Sequence, residues 1–318
     1  GTVDGTPART GGGSGSSGSS SLSTTVAAGT AAVTGGTLTL GNGGATGALT
    51  IATIDVADGA TLAVNRSNAA VLTNLTGTGR LHLVAGSLAL GGTANDLKFI
   101  DVDGGTLQIG AAATLNGSAA ATVAAGAVLD LAAASSTVGS LALAGTVTGG
   151  TLNTTTLTSS GATALITAAV ASGGSTVQDG TLTVGSAALT GSLSGPITVS
   201  DGATLAYAGA GAGAFGNLLG TGTLRHIGSG TLTLNGTADG LTAVQLAGTG
   251  TLRLADGSGA RIGDSTAVTV GAGTTFTLGD TAETVGSLTL AGTLGGNAAL
   301  SAATYSLQPG AAVDAALS

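Results

Sequence analysis

Only a few side chains in this sequence have types and spacings that could support chemistry. His82 and His226 are the two histidines, 144 residues apart, each with an arginine close by in sequence, Arg80 and Arg225. Asp96, Asp101 and Asp103 form the densest acidic stretch, with Asp55 and Asp58 upstream. Lys98 is the one lysine and Glu283 the one glutamate. Gly211, Gly213 and Gly216 complete a G-x-G-x-x-G string inside AGAGAGAFGN.

Each set falls short of the chemistry it suggests. A zinc centre needs several converging ligands, and two histidines with no cysteine supply none. Calcium needs six to eight oxygens, so the aspartates read as solvated turn residues, many of them preceding glycine. Dinucleotide binding requires a strand before the glycine string, a helix after it and an acid about 20 residues on; here glycine merely alternates with alanine in a chain of 60 glycines, and the string reads as a loop. The histidines read as one solvent-facing turn carried into both halves of a duplication. Polysaccharide-cleaving sites need clustered acids or two carboxylates across a sugar, and a G-x-S-x-G elbow is absent. The sequence therefore predicts no catalytic, cofactor-binding or metal-binding residues, no cofactor and no enzyme.

The elements that would carry these residues are short. Pulses such as GGTLTL (35–40), DGATLAV (58–64), AGSLAL (85–90), DGTLTV (179–184), SGTLTL (229–234) and GTGTLRL (248–254) alternate small or polar residues with aliphatic ones. That is the period of a half-buried strand, and the preceding glycine sets a turn. Alternation sends Leu38, Leu182, Leu232 and Leu252 inward and Thr37, Thr181, Thr231 and Thr251 outward. The pairs Thr37/Thr39, Thr181/Thr183 and Thr231/Thr233 would suit ice binding if they recurred in adjacent coils, and by this reading they do not.

A longer period lies above the pulses. Residues 122–146 align without gaps to 269–293 with 14 of 25 positions identical, and stretches upstream repeat at offsets of 143 and 144. Residues 1–21 read as a flexible Gly/Ser-rich linker. Residues 22–318 then form two tandem copies, about 22–168 and 169–318. The offset divides into seven units of about 21 residues, the period of a solenoid. Glycine and β-branched residues in every unit argue against helical repeats. The expected fold is all-β: a right-handed, single-stranded parallel β-helix with coils of about 21 residues.

Composition agrees. Among 318 residues there are 60 glycines, five aromatics and no cysteine, methionine or tryptophan. Such a chain suits a core of stacked small aliphatic side chains. Seven basic and fifteen acidic residues give a net charge of −8, without the basic patch that nucleic acid demands. No apolar run is long enough for a membrane-spanning helix.

The stretches SGTLTLNGTADGLTAVQLAGTGTLRL (229–254), GATLAYAGAGAGAFGNLLGTGTL (202–224) and AVTVGAGTTFTLGDTAETVGSLTLAGTLGG (267–296) resemble the autotransporter-associated β-strand repeat. Over about 25–318 the chain is similar to passenger domains of type V autotransporters, broadly the pertactin-like group. That resemblance implies export to the surface of a Gram-negative bacterium through an outer-membrane translocator barrel of the same polypeptide. It also implies a structural or adhesive role, with a host or abiotic surface, or other copies of the chain, as partner. The repeat has no invariant active-site residue to carry over, and an Arg-Gly-Asp motif is absent, since Arg261-Ile262-Gly263-Asp264 is not one.

Overall fold

The computed structural model describes residues 18–22, 25–45, 48–92, 94, 96–257 and 261–318. They form parallel strands without a helix among them, stacked as a β-solenoid. The chain divides between Thr155 and Thr156 into two compact units, ahead of the 168/169 boundary expected from the repeats.

In the first unit, the strands Ser19–Leu22, Thr37–Leu40, Thr61–Leu72, Arg80–Leu90, Phe99–Val102, Ala120–Val123 and Ser135–Leu143 pair in parallel, each with the next. Register places Leu38, Leu62, Leu81, Ile100, Ala121 and Leu141 in one row and Leu40, Val64, Leu83, Val102, Val123 and Leu143 in a second. Both rows are buried. The residues between them point to the opposite face, as a period of two requires, and all but Ala63 are at least part-exposed. The segment read as a flexible linker, 1–21, overlaps the first of these strands at Ser19–Ser21, whose backbones are paired with Thr37–Thr39. Its residues 1–17 lie outside the described residues.

The second unit repeats this ladder. Its rows are Leu182, Leu205, Leu224, Val244, Val268 and Leu288, and Val184, Tyr207, His226, Leu246, Val270 and Leu290. A separate six-stranded parallel sheet carries Leu232, Leu252, Phe276 and Leu294 in one buried row. Leu38, Leu182, Leu232 and Leu252 are buried, while Thr37, Thr181, Thr231 and Thr251 are part-exposed, as alternation predicts. On the outer face of the six-stranded sheet, Thr231, Thr251, Thr275 and Thr293 stack in four consecutive coils. The neighbouring row reads Thr233, Arg253, Thr277 and Gly295, so the Thr-x-Thr pairs at 231 and 275 are two coils apart.

A coil like these cannot stand alone. Ordering each residue costs about 1–2 kcal/mol of backbone entropy, and burying an aliphatic side chain returns roughly 1.5–3 kcal/mol. Burial on both sides and the shared hydrogen-bond ladder come only from neighbours. Corners impose a second constraint. Gly180 has φ of +60°, and a Cβ there would collide with the carbonyl of Gly161 in the coil beneath. Glycine supplies both the left-handed conformation and the close approach.

The aromatics follow the same geometry. Tyr207, Phe215 and Phe276 are buried, Tyr305 continues the row of Leu288, and Phe99 faces outward.

Candidate functional site

The main grouping of charge in the first unit lies on the outer face of its ladder. Arg80 and Phe99 occupy adjacent rungs of one outward row, with Thr61 before them and Ala120 after. His82 and Asp101 occupy adjacent rungs of the next outward row, between Ala63 and Thr122. Strands about 4.8 Å apart bring these side chains together. The Arg80 guanidinium lies over the Phe99 ring, 4.5 Å from its centroid, and also pairs with the Asp101 carboxylate. His82 Nε2 is 2.7 Å from Asp103 Oδ2, and Lys98 Nζ is 2.7 Å from Asp58 Oδ1. Phe99 remains 41% exposed, a large ring held upright by the cation on one face.

Several expectations change here. Asp101 and Asp55 are strand residues, not turn residues. Asp101 lies outward on its strand beside Arg80, and Asp55 accepts a hydrogen bond from the Thr76 hydroxyl at 3.1 Å. Asp58, Asp96 and Asp103 do lie outside strands and are exposed.

The histidines are not equivalent. Strand for strand, Thr61–Val64 corresponds to Thr204–Tyr207 and Arg80–Leu83 to Thr223–His226, an offset of 143. His82 therefore matches the exposed Arg225, and His226 matches the buried Leu83. A slip of one residue exchanges the faces of a strand. His226 is thus an inward residue, not a solvent-facing turn. Its Nε2–H donates to the carbonyl of Gly230 at 3.1 Å, and its ring meets the edge of Tyr207 with centroids 5.5 Å apart. Burial holds its pKa below the ordinary histidine value.

Tyr207 takes the rung that Val64 fills in the first unit. Its hydroxyl donates to the Gly211 carbonyl at 2.9 Å, and its ring meets Phe215 edge-on at 6.3 Å. A Cβ at Gly209 or Gly213 would collide with that ring. The G-x-G-x-x-G string is thus a packing device: strand Ala212–Phe215 runs through it rather than a loop, and Gly213 leaves space for the tyrosine.

Glu283 opens the strand Glu283–Leu290 and is 2% exposed. Its carboxylate accepts backbone N–H bonds from Ile262 at 2.8 Å and Arg261 at 3.2 Å. Burial still raises its pKa. The Gly257 N–H donates to Asp280 Oδ1 at 2.8 Å.

Three or more metal-ligating side chains do not converge anywhere among the described residues. In the second unit the buried side chains of His226, Glu283, Thr266 and Thr274 hydrogen-bond to backbone groups, a structural role, while Ser175 Oγ has no hydrogen-bond partner. Among the described residues, the outward Arg80–Phe99–Asp101 face is the one grouping that offers solvent an aromatic ring beside fixed charges. No known protein family, curated protein or solved structure matches the chain.

Proposed function

We propose that this chain is a non-catalytic structural or adhesive stalk at a bacterial surface, a passenger segment of a type V autotransporter. The observation that supports it is the repetition of small, uncharged outward residues from coil to coil. Thr181, Thr204, Thr223, Ala243, Ala267 and Ser287 form one such row. A surface of this kind suits many weak contacts strengthened by multivalency. The resemblance of residues 202–296 to the autotransporter-associated repeat supports the export route and the translocator barrel. Partners on this reading are a host or abiotic surface, or further copies of the chain.

Displaying the segment on non-aggregating cells and measuring settling and surface attachment tests the reading. Attachment or aggregation above the level of undisplayed cells is expected. Glycan cleavage by the purified protein, abolished by changing one aspartate, would replace the stalk with an enzyme.

A further inference from the structure

We infer that the outward face around Phe99 binds a neutral polysaccharide through stacking of a sugar ring on the aromatic side chain. The inference rests on the adhesive reading above and gives that surface a ligand class.

The fold itself does not call for this cluster. In the second unit, the rungs equivalent to Arg80, Phe99 and Asp101 carry Thr223, Ala243 and Gln245, and Ala247 follows where Asp103 follows in the first. Those coils keep the same register and the same buried rows. Two copies of one design therefore differ here by an exposed ring and several charges that stability does not explain. Holding a phenylalanine 41% exposed forgoes apolar burial that an inward position would give.

The details select the ligand. Arg80 covers one face of the ring, while the neighbour on the other side is Ala120, whose methyl group is too small to cover it. The flanking outward residues Thr61 and Thr122 are small, leaving the ring proud of a shallow surface. Both permanent cations of this face already meet a carboxylate, Arg80 facing Asp101 and Lys98 facing Asp58, and His82 Nε2 is hydrogen-bonded to Asp103. A polyanion therefore finds no free positive charge, which argues against sulfated or phosphorylated chains. What the face offers is an apolar ring surface beside carboxylate oxygens, whose remaining lone pairs accept hydrogen bonds. A pyranose presents the complement, with an apolar C–H face and hydroxyl donors around its rim. An extended neutral polymer also fits a surface with no need of enclosure.

The experiment measures binding of the whole purified chain to cellulose, chitin, starch and galactomannan, with heparin as the anionic comparison. At least one neutral polymer is expected to bind. Phe99→Ala should weaken that binding roughly tenfold, as loss of an aromatic anchor does, while Phe99→Tyr retains it. The fourfold variant Arg80→Thr, Phe99→Ala, Asp101→Gln, Asp103→Ala copies the second unit, so it keeps the fold and should lose binding. Failure of all four neutral polymers to bind, or a preference for heparin, overturns the inference. So does unchanged binding by the fourfold variant. Cells displaying that variant separate the two readings: if they attach as well as the parent, adhesion stands and this site falls. If even the parent fails to attach, the adhesive reading itself fails.

Discussion

His226 stands on the rung that Leu83 occupies in the first unit, so the same inward position holds an imidazole in one ladder and an isobutyl group in the other. The imidazole is accommodated because Nε2 donates to Gly230 and because Gly250 leaves room beside Cε1. Protonation would bury a cation whose named ring neighbour is Tyr207.

A pH dependence follows. The folded-state pKa of His226 is lowered, so its stabilising contribution is complete above the unfolded value, about 6.5. It is lost as pH falls below that value, because the unfolded chain then binds the extra proton. Thermal unfolding followed from pH 7.5 to pH 5 should show a falling midpoint for the parent. His226→Leu, which copies Leu83, should flatten that fall. An equal slope in both proteins would remove His226 as its origin. Glu283, with a raised pKa, acts in the opposite sense: its unfavourable charge is relieved as pH falls, so it cannot produce the loss.

The glycine string gives a sharper packing test. Gly213→Ala places a methyl group against the Tyr207 ring, an overpacking that costs about 1–3 kcal/mol. In a Tyr207→Val background, which copies Val64, the same change should cost much less. A double-mutant cycle by urea unfolding measures the coupling, and additive costs would contradict the contact.

Register is tested at Leu232 and Thr231. Leu232→Asp buries an unpaired carboxylate in the aliphatic row and should destabilise by roughly 3–5 kcal/mol. Thr231→Asp, on the outward side, should cost well under half as much. Comparable midpoints for the two variants would mean the faces are reversed.

Glu283→Ala leaves the N–H groups of Arg261 and Ile262 without their acceptor. A loss of about 1–3 kcal/mol is expected, read by chemical denaturation. Hydrogen exchange should quicken at Ile262 while Leu205 and Leu224 keep their protection. A variant as stable as the parent would show that the carboxylate does not hold the Arg261 and Ile262 backbone.

Much of this architecture was legible in the chain because the signal repeats. Alternation in Gly-Thr-Leu-Thr-Leu identifies the buried leucines, and the tandem offset identifies matching coils. What escaped was local. The spacing of His82 and His226 is 144, whereas the strands bearing them are offset by 143, and that single residue decides which histidine is buried. The strand alignment at 54–64 and 197–207 already carried the offset of 143 and could have corrected it. Glu283 shares a face with Val285 by the same alternation, so its burial was readable once the strand start was known. Cross-coil pairs such as Arg80 on Phe99 depend on corner lengths, which no local pattern in the sequence encodes.

Those corner lengths have a consequence for engineering. Along one buried row of the second unit, Leu182, Leu205, Leu224, Val244, Val268 and Leu288 are separated by 23, 19, 20, 24 and 20 residues. The ladder keeps count of rungs and is indifferent to the chain spent between them. Foreign peptides spliced into the longer corners, such as the one between Val184 and Ser192, should therefore ride on an undisturbed framework. The molecule is in this respect a ready-made display scaffold.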